Sequence, residues 1–267
     1  MGHDEARLEF QSTLRRGTVD EKDYHEAFWA RESGPLFDRP AFAAVHSRVA
    51  RRIGRELKKL GRPSVLSLGC GDGRIEVAIA PLCARVVGVE LAEAGAAAAR
   101  DRAAAAGVTN AEFHAGDARD AARLAGADRF DAVLSLALLH HLEPGDRAGV
   151  LCDARGLLRP KGLFVSHDPN RQRAVNLLKP LVRRRYAETH SPDEGELDPG
   201  ELTRTALAAG FSSVRTEPAD WFAGPMAWVF PSLPRALVAP AFAVDNLLLS
   251  TPGLGRLGSS FWMFAVA

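Results

Sequence analysis

Cysteine is scarce in these 267 residues: Cys70, Cys83 and Cys152 are the only three. They are odd in number, far apart and include no C-x-x-C pair, so neither a disulfide framework nor a zinc site is expected, and a reducing cytosol is the natural home. Charge of one sign is lacking too. With 34 basic against 33 acidic residues the net charge is +1, which removes any global electrostatic reason to bind nucleic acid. No Asn-Pro-Pro-Tyr-type signature and no appended recognition module point there either. The N-terminus, MGHDEARLEFQSTLRRG, has no apolar region of the secretory kind. The longest apolar stretch, ALVAPAFAVDNLLLS at 236–250, is interrupted by Pro240, Asp245 and Asn246 and is too short to span a bilayer as a helix. What remains is an ordinary globular composition, 46% hydrophobic and 25% charged, long enough for one large domain. A cytoplasmic protein is expected, one that can touch a membrane surface.

From 64 to 169 short β-branched or aliphatic runs alternate with longer Ala-, Leu- and Arg-rich stretches, the pattern of βαβ units and a parallel sheet. Strands are expected at 64–69, 85–90, 111–116, 130–137 and 162–168, with helices near 73–83, 92–106, 119–125 and 144–158. Two further helices, 20–32 and about 40–60, precede the sheet with Gly34 and Pro35 between them. Downstream, Asp198 can cap and Gly210 can end a helix. FSSVRTEPADWF (211–222) reads as a sixth strand and SSFWMFAVA (259–267) as a seventh. The expected organisation is an N-terminal helical cap over 1–60 and an α/β core over 61–220. An apolar insertion at about 223–258 with the last strand, 221–267, belongs to the same domain.

The run VLSLGCGDGR (65–74) places Gly69, Gly71 and Gly73 on alternate positions. A dinucleotide turn has its third glycine five residues after its first, and here that position is Arg74. No Gly-Lys-Ser or Gly-Lys-Thr follows, so a P-loop is excluded as well. The turn instead suits a ligand without phosphate that the backbone approaches closely, with the Asp72 carboxylate nearby. Glu90 closes the second strand, where a carboxylate can accept both hydroxyls of a ribose. Asp117 closes the third, where one can accept from an adenine amino group. Ligands of open α/β sheets bind outside the carboxyl ends of the strands, so these positions converge on one pocket.

With VVGVE, HAGDA, FDAVLSLALLHHL and LLRPKGLFVS in order behind the glycine turn, residues 60–170 resemble the class I S-adenosylmethionine-dependent methyltransferases; ALAAGFSSV and FWMFAVA extend the likeness more weakly to the C-terminus. The resemblance implies a Rossmann-like α/β fold, a seven-stranded, mostly parallel sheet with an antiparallel last strand and helices on both faces. It implies S-adenosyl-L-methionine as cofactor, with Gly69, Gly71 and Gly73 cradling the methionine part, Glu90 at the ribose, Asp117 and Ala118 at the adenine, and Cys70, Asp72, Leu91 and Ser135 also among the cofactor-binding residues.

Methyl transfer from a sulfonium is an in-line displacement, so the protein has to position the acceptor and, for a poor nucleophile, remove a proton. No metal is required in principle. Candidate bases are His140 and His141 after the fourth strand, one of which can equally serve by hydrogen-bonding its loop, and His167 and Asp168 after the fifth, where Asp168 and Pro169 can also simply turn the chain. Asn170 follows in the same SHDPN run. In the N-terminal cap, Tyr24, His25, Phe28 and Trp29 cluster; Tyr24 and Phe28 share a helical face, either as core or as a lid that excludes water.

The stretch from Asp220 to Gly258 holds Trp221, Phe222, Met226, Trp228, Phe230 and Phe242 along with five prolines. It reads as a cover through which a hydrophobic or amphiphilic small molecule is reached, such as a lipid, an isoprenoid or a polyketide-like compound, and part of which can rest in a membrane interface. Lys179, Arg183, Arg184 and Arg185 are either a solvated helix face or a site for an anionic head group. Two other classes stay open: a non-catalytic cofactor-binding or membrane-associated protein and, against Arg74 and Asp117, a nicotinamide-dependent oxidoreductase.

Overall fold

The computed structural model describes residues 20–31, 36–126, 128–178 and 195–267. Seven strands form one sheet: β1 Ser64–Leu68, β2 Arg85–Glu90, β3 Ala111–Ala115, β4 Phe130–Leu136, β5 Leu158–Pro169, β6 Ser213–Asp220 and β7 Ser260–Val266. Their order is β3-β2-β1-β4-β5-β7-β6. β1 to β5 are parallel, and β7 runs antiparallel between β5 and β6. The sheet has the Rossmann-like arrangement of the expected fold. The central strands are nearly continuous apolar runs because both faces are covered. One face packs Leu66, Val133 and Phe164 among its core, the other Val65, Leu134 and Val165.

The helices are α1 Glu21–Arg31, α2 Pro40–Leu57, α3 Arg74–Ile79, α4 Glu93–Ala105, α5 Ala121–Leu124, α6 Pro144–Leu157, α7 Pro199–Ala208, α8 Ala223–Val229 and α9 Arg235–Ser250. Proline in the first turn starts α2, α6 and α7, where its missing N–H costs nothing. At α7 the Asp198 carboxylate accepts from Glu201 N at 2.9 Å, as the cap signal predicts. β5 begins four residues ahead of its expected start, the helix before it ending at Leu157.

The insertion is more regular than its punctuation suggests. Pro240 lies inside α9, and Asp245, read as an interruption, is fully buried. Its carboxylate accepts from Phe222 N at 2.8 Å and Ala223 N at 3.3 Å, satisfying open N–H groups at the start of α8. Ala41 and Phe42 of α2 share an apolar cluster with Ala227 of α8 and Val238 of α9, with Phe37, Trp228 and Phe242 against it. The N-terminal cap and the C-terminal insertion are thus one cover, built from ends of the chain some 190 residues apart.

Candidate functional site

The strand order reverses between β1 and β4, which both neighbour the glycine turn, and the cleft of an open α/β sheet lies at this switch point. Gly69, Gly71 and Gly73 have φ of 67°, 55° and 68°, left-handed values that residues with a Cβ rarely adopt. Gly69 N and Cys70 N both donate to Val89 O, at 2.8 and 3.1 Å, which fastens the turn to β2.

Glu90, 5% exposed, is the central group. Its Oε2 accepts from Gly71 N at 2.8 Å and its Oε1 from Ala92 N at 3.2 Å. Burial raises its pKa against those backbone hydrogen bonds. The space over the turn is shared with Trp29 of α1. A Cβ on Gly71 would stand 2.5 Å from Trp29 Cζ2, and one on Gly95 would lie 2.9 Å from Glu90 Cγ and 3.0 Å from Trp29 Cδ1. The indole therefore lies against the turn beside the Glu90 carboxylate.

Other residues of the turn face elsewhere. A Cβ on Gly73 would meet Ala99 at 2.8 Å and Phe113 at 3.0 Å, so this glycine lets α4 and β3 pack against the turn. The Cys70 thiol is buried against Gly88 and Phe113 in the same cluster, and burial pushes it well above its ordinary range. Asp72 does not project freely. Its carboxylate is clamped by Arg74, whose Nε lies 2.9 Å from Oδ1, and by Arg102, whose Nη2 lies 2.9 Å from Oδ2. Asp117 caps the turn after β3, accepting from Arg119 N at 2.8 Å, and Arg119 also pairs with its carboxylate. Burial would raise its pKa, but these contacts outweigh it and hold it low. Ala118 and Leu91 are half-buried beside it on the same edge, and Ser135, across from Leu68 at the end of β4, is fully buried with no hydrogen bond to its Oγ.

The four candidate bases lie at three stations. His140 Nδ1 is 3.2 Å from Asp168 Oδ1, which also faces His140 N at 3.3 Å. Burial lowers His140 to about 3 and raises Asp168 to about 6. At neutral pH this is a neutral imidazole held by a carboxylate, and His140 Nε2 makes no hydrogen bond among the described residues. His167, on the opposite face of the sheet, has Nε2 2.9 Å from Ser260 Oγ and its ring 4.4 Å from that of Trp262; burial lowers it to about 4. His141 points instead to α1, with Nδ1 2.8 Å from Glu21 Oε1. Burial alone would raise Glu21, but hydrogen bonds from His141 and His25 bring it down to about 2. Tyr24 is buried and stacks on Phe28 at 6.3 Å, so this face of α1 packs as core. Asn170 is structural: its side-chain amide donates to Arg256 O and Gly258 O.

His46 went unnoticed in the sequence. It lies on the inner face of α2 with Nδ1 buried and without a hydrogen bond among the described residues, and burial with the Arg74 charge lowers it to about 4. A helix-borne histidine amid apolar residues gives no local signal, and only the fold brings it toward Arg74, Asp72 and His167. A cavity of about 180 Å³ opens on this side, lined by Val45, Val49, Phe242, Trp262 and His167, with Arg48 and Arg52 among its polar groups. Another, of about 200 Å³, lies between α6 and α7 away from the turn, where Arg171 pairs with Asp198 and Glu201. Lys179, Arg183, Arg184 and Arg185 lie outside the described residues, as do Gly34 and Pro35.

Comparison with known proteins agrees with this geometry. Residues 65–162 match a family model described as a methyltransferase domain. A ubiquinone biosynthesis O-methyltransferase of Methylobacterium nodulans is 29% identical over 203 residues, 71% of this chain and 79% of that protein. Among solved structures, the magnesium protoporphyrin IX methyltransferase of Synechocystis PCC 6803 with bound S-adenosylmethionine has a TM-score of 0.60 at 14% identity, covering 93% of this chain and 98% of that one. The complex of DhpI with S-adenosylhomocysteine has a TM-score of 0.58 at 15% identity, covering 92% and 94%. The matched residues span the glycine turn, Glu90 and the whole of β4 and reach into β5, and with them the chain is an S-adenosylmethionine-dependent methyltransferase.

Proposed function

We propose that the protein transfers the cofactor's methyl group to a small hydrophobic or amphiphilic molecule. The observation that carries the cofactor half is the buried Glu90 carboxylate set under a turn of three left-handed glycines. The turn brings backbone close to a ligand without a phosphate charge, and the carboxylate can accept from a vicinal diol. The residues present fit S-adenosyl-L-methionine: Glu90 would hold the ribose, Asp117, Leu91 and Ala118 the adenine, and the Gly69–Gly71 backbone the methionine part. When bound, the group supplies a methyl activated by a positive sulfur.

The chain's own contribution is positioning and proton removal. With the group bound, the chain would hold the acceptor in line with the methyl and take up the proton that the acceptor gives up. His140, oriented by Asp168, and His167 are both neutral at pH 7 and able to accept it. The lid of α1 and the cover of α2, α8 and α9 keep water from the reaction.

The apolar walls of the 180 Å³ cavity, with Arg48, Arg52 and Arg55 beside Glu217 and Asp220, support a greasy acceptor with a polar end. The name of the ubiquinone-biosynthesis relative agrees with such a molecule. Exposed apolar side chains on the cover, Phe230, Leu237, Val244 and Leu247, support contact with a membrane surface; among the described residues no helix is long and apolar enough to cross one.

Titration calorimetry with S-adenosylhomocysteine tests the cofactor site, with oxidised nicotinamide dinucleotide as control. Wild type should bind in the micromolar range and Glu90→Ala at least tenfold more weakly, about 1.4 kcal/mol. Absence of binding by a folded wild type would refute the reading.

A further inference from the structure

The same sheet edge carries a cluster of metal-ligating side chains that methyl transfer does not call on. Glu21 and His25 stand four residues apart on one face of α1, and His141 comes from the turn after β4. Glu21 Oε1 lies 2.8 Å from His141 Nδ1 and 3.1 Å from His25 Nε2. One ligand atom from each of the three falls within 4.8 Å of the other two. We propose that Glu21, His25 and His141 bind one divalent ion of the zinc class, which staples α1 over the cofactor cradle.

The donor set selects the metal. Two imidazole nitrogens and one carboxylate oxygen suit zinc and its transition-metal neighbours, whereas magnesium and calcium prefer oxygen alone. Bonds of about 2.1 Å in a tetrahedron place adjacent donors about 3.4 Å apart, so the two Glu21 spacings of 2.8 and 3.1 Å need only a small outward adjustment to admit an ion. The three side chains are 12% to 25% exposed, which leaves a way in from solvent. Packing already orients the imidazoles: the Tyr24 ring meets His25 edge-on at 5.3 Å, and the His140 and His141 rings lie 4.2 Å apart. Three protein ligands leave a fourth position open to water or another oxygen donor.

The position assigns the ion a task. Glu21 and Trp29 are eight residues apart on α1, about 12 Å along the axis. The Trp29 end is held at Gly71 and Gly95, and Glu26 Oε1 accepts from Ala94 N at 3.1 Å. An ion between Glu21, His25 and His141 fastens the other end to the β4 loop and orders the whole lid. The site is separate from the methyl-transfer reading, since its test reads metal binding and not turnover.

The test starts from protein stripped with a chelator and titrated with Co²⁺, followed by calorimetry and visible absorption. One site per chain is expected, with d–d bands that Zn²⁺ abolishes and a large excess of Mg²⁺ leaves in place. His25→Ala and His141→Ala should each weaken binding at least tenfold and lose the bands, and Zn²⁺ should slow amide exchange over 21–31 in wild type alone. Thermal melts establish that the variants are folded, and Glu21→Gln replaces either one that is not. Absence of saturable Co²⁺ and Zn²⁺ binding to wild type, or binding unchanged in the folded variants, overturns the proposal.

Discussion

Glu76 shows how much a single buried group can report. It is 2% exposed beneath the glycine turn; Ser67 Oγ donates to its Oε1 at 2.6 Å and its Oε2 has no partner among the described residues. Burial raises its pKa to about 7. The folded state therefore holds this proton more tightly than the unfolded chain, whose carboxyl titrates near 4.5. The group's contribution to stability is intact below 4.5 and is lost as pH rises to about 7. Glu76→Gln keeps the contact with Ser67 and has no proton to lose. Thermal melts from pH 5 to 8 should show the variant gaining on wild type across that window, by on the order of 3 kcal/mol; parallel curves would contradict the assignment. The bases are judged by kinetics. With an acceptor that turns over, His140→Gln or His167→Gln should lower kcat by roughly 10² to 10⁴ with little change in KM if that side chain takes the proton. If kcat is unchanged in both variants, neither imidazole is the base.

Among the elements, α1 is the one whose position bears on binding. Its Trp29 indole lies against Gly71 and Gly95, next to the carboxylate proposed for the ribose. A ligand entering the turn has to share or take that space, so S-adenosylhomocysteine should change the intrinsic tryptophan fluorescence, and Trp29→Phe should remove most of that change while the other three tryptophans remain. An undiminished signal in Trp29→Phe would place the motion elsewhere. Gly73 shows the opposite limit: its Cβ direction is filled by Ala99 and Phe113, so its part in the turn is backbone shape and packing.

At the scale of the whole molecule, the cover joins residues 36–45 to 226–242 and presents Leu237 and Leu247 to solvent, at 59% and 67% exposure. Flotation with anionic vesicles should carry the wild type upward, and Leu237→Asp with Leu247→Asp should leave it at the bottom without loss of S-adenosylhomocysteine binding. Wild type that stays with the soluble fraction would mean that the row faces water. Much of the parallel sheet, the glycine turn and the acids at the ends of β2 and β3 were legible in the sequence, because each rests on a local signal: a two-residue or 3.6-residue period, a glycine spacing, a strand-end carboxylate. That α9 runs on through Pro240, and that Asp245 caps α8, were not legible, because a cap supplied from another helix has no fixed sequence offset.

The sequence by itself determined a Rossmann-like methyltransferase core and the approximate place of its cofactor cradle, since contacts within βαβ units lie close along the chain. Only the tertiary structure decided that Asp72 is clamped by two arginines, that His46 approaches the turn, and that Glu21, His25 and His141 meet. Those pairings join residues up to 120 positions apart, and what brings them together is the burial of apolar faces on separate elements, which leaves no local trace in the chain.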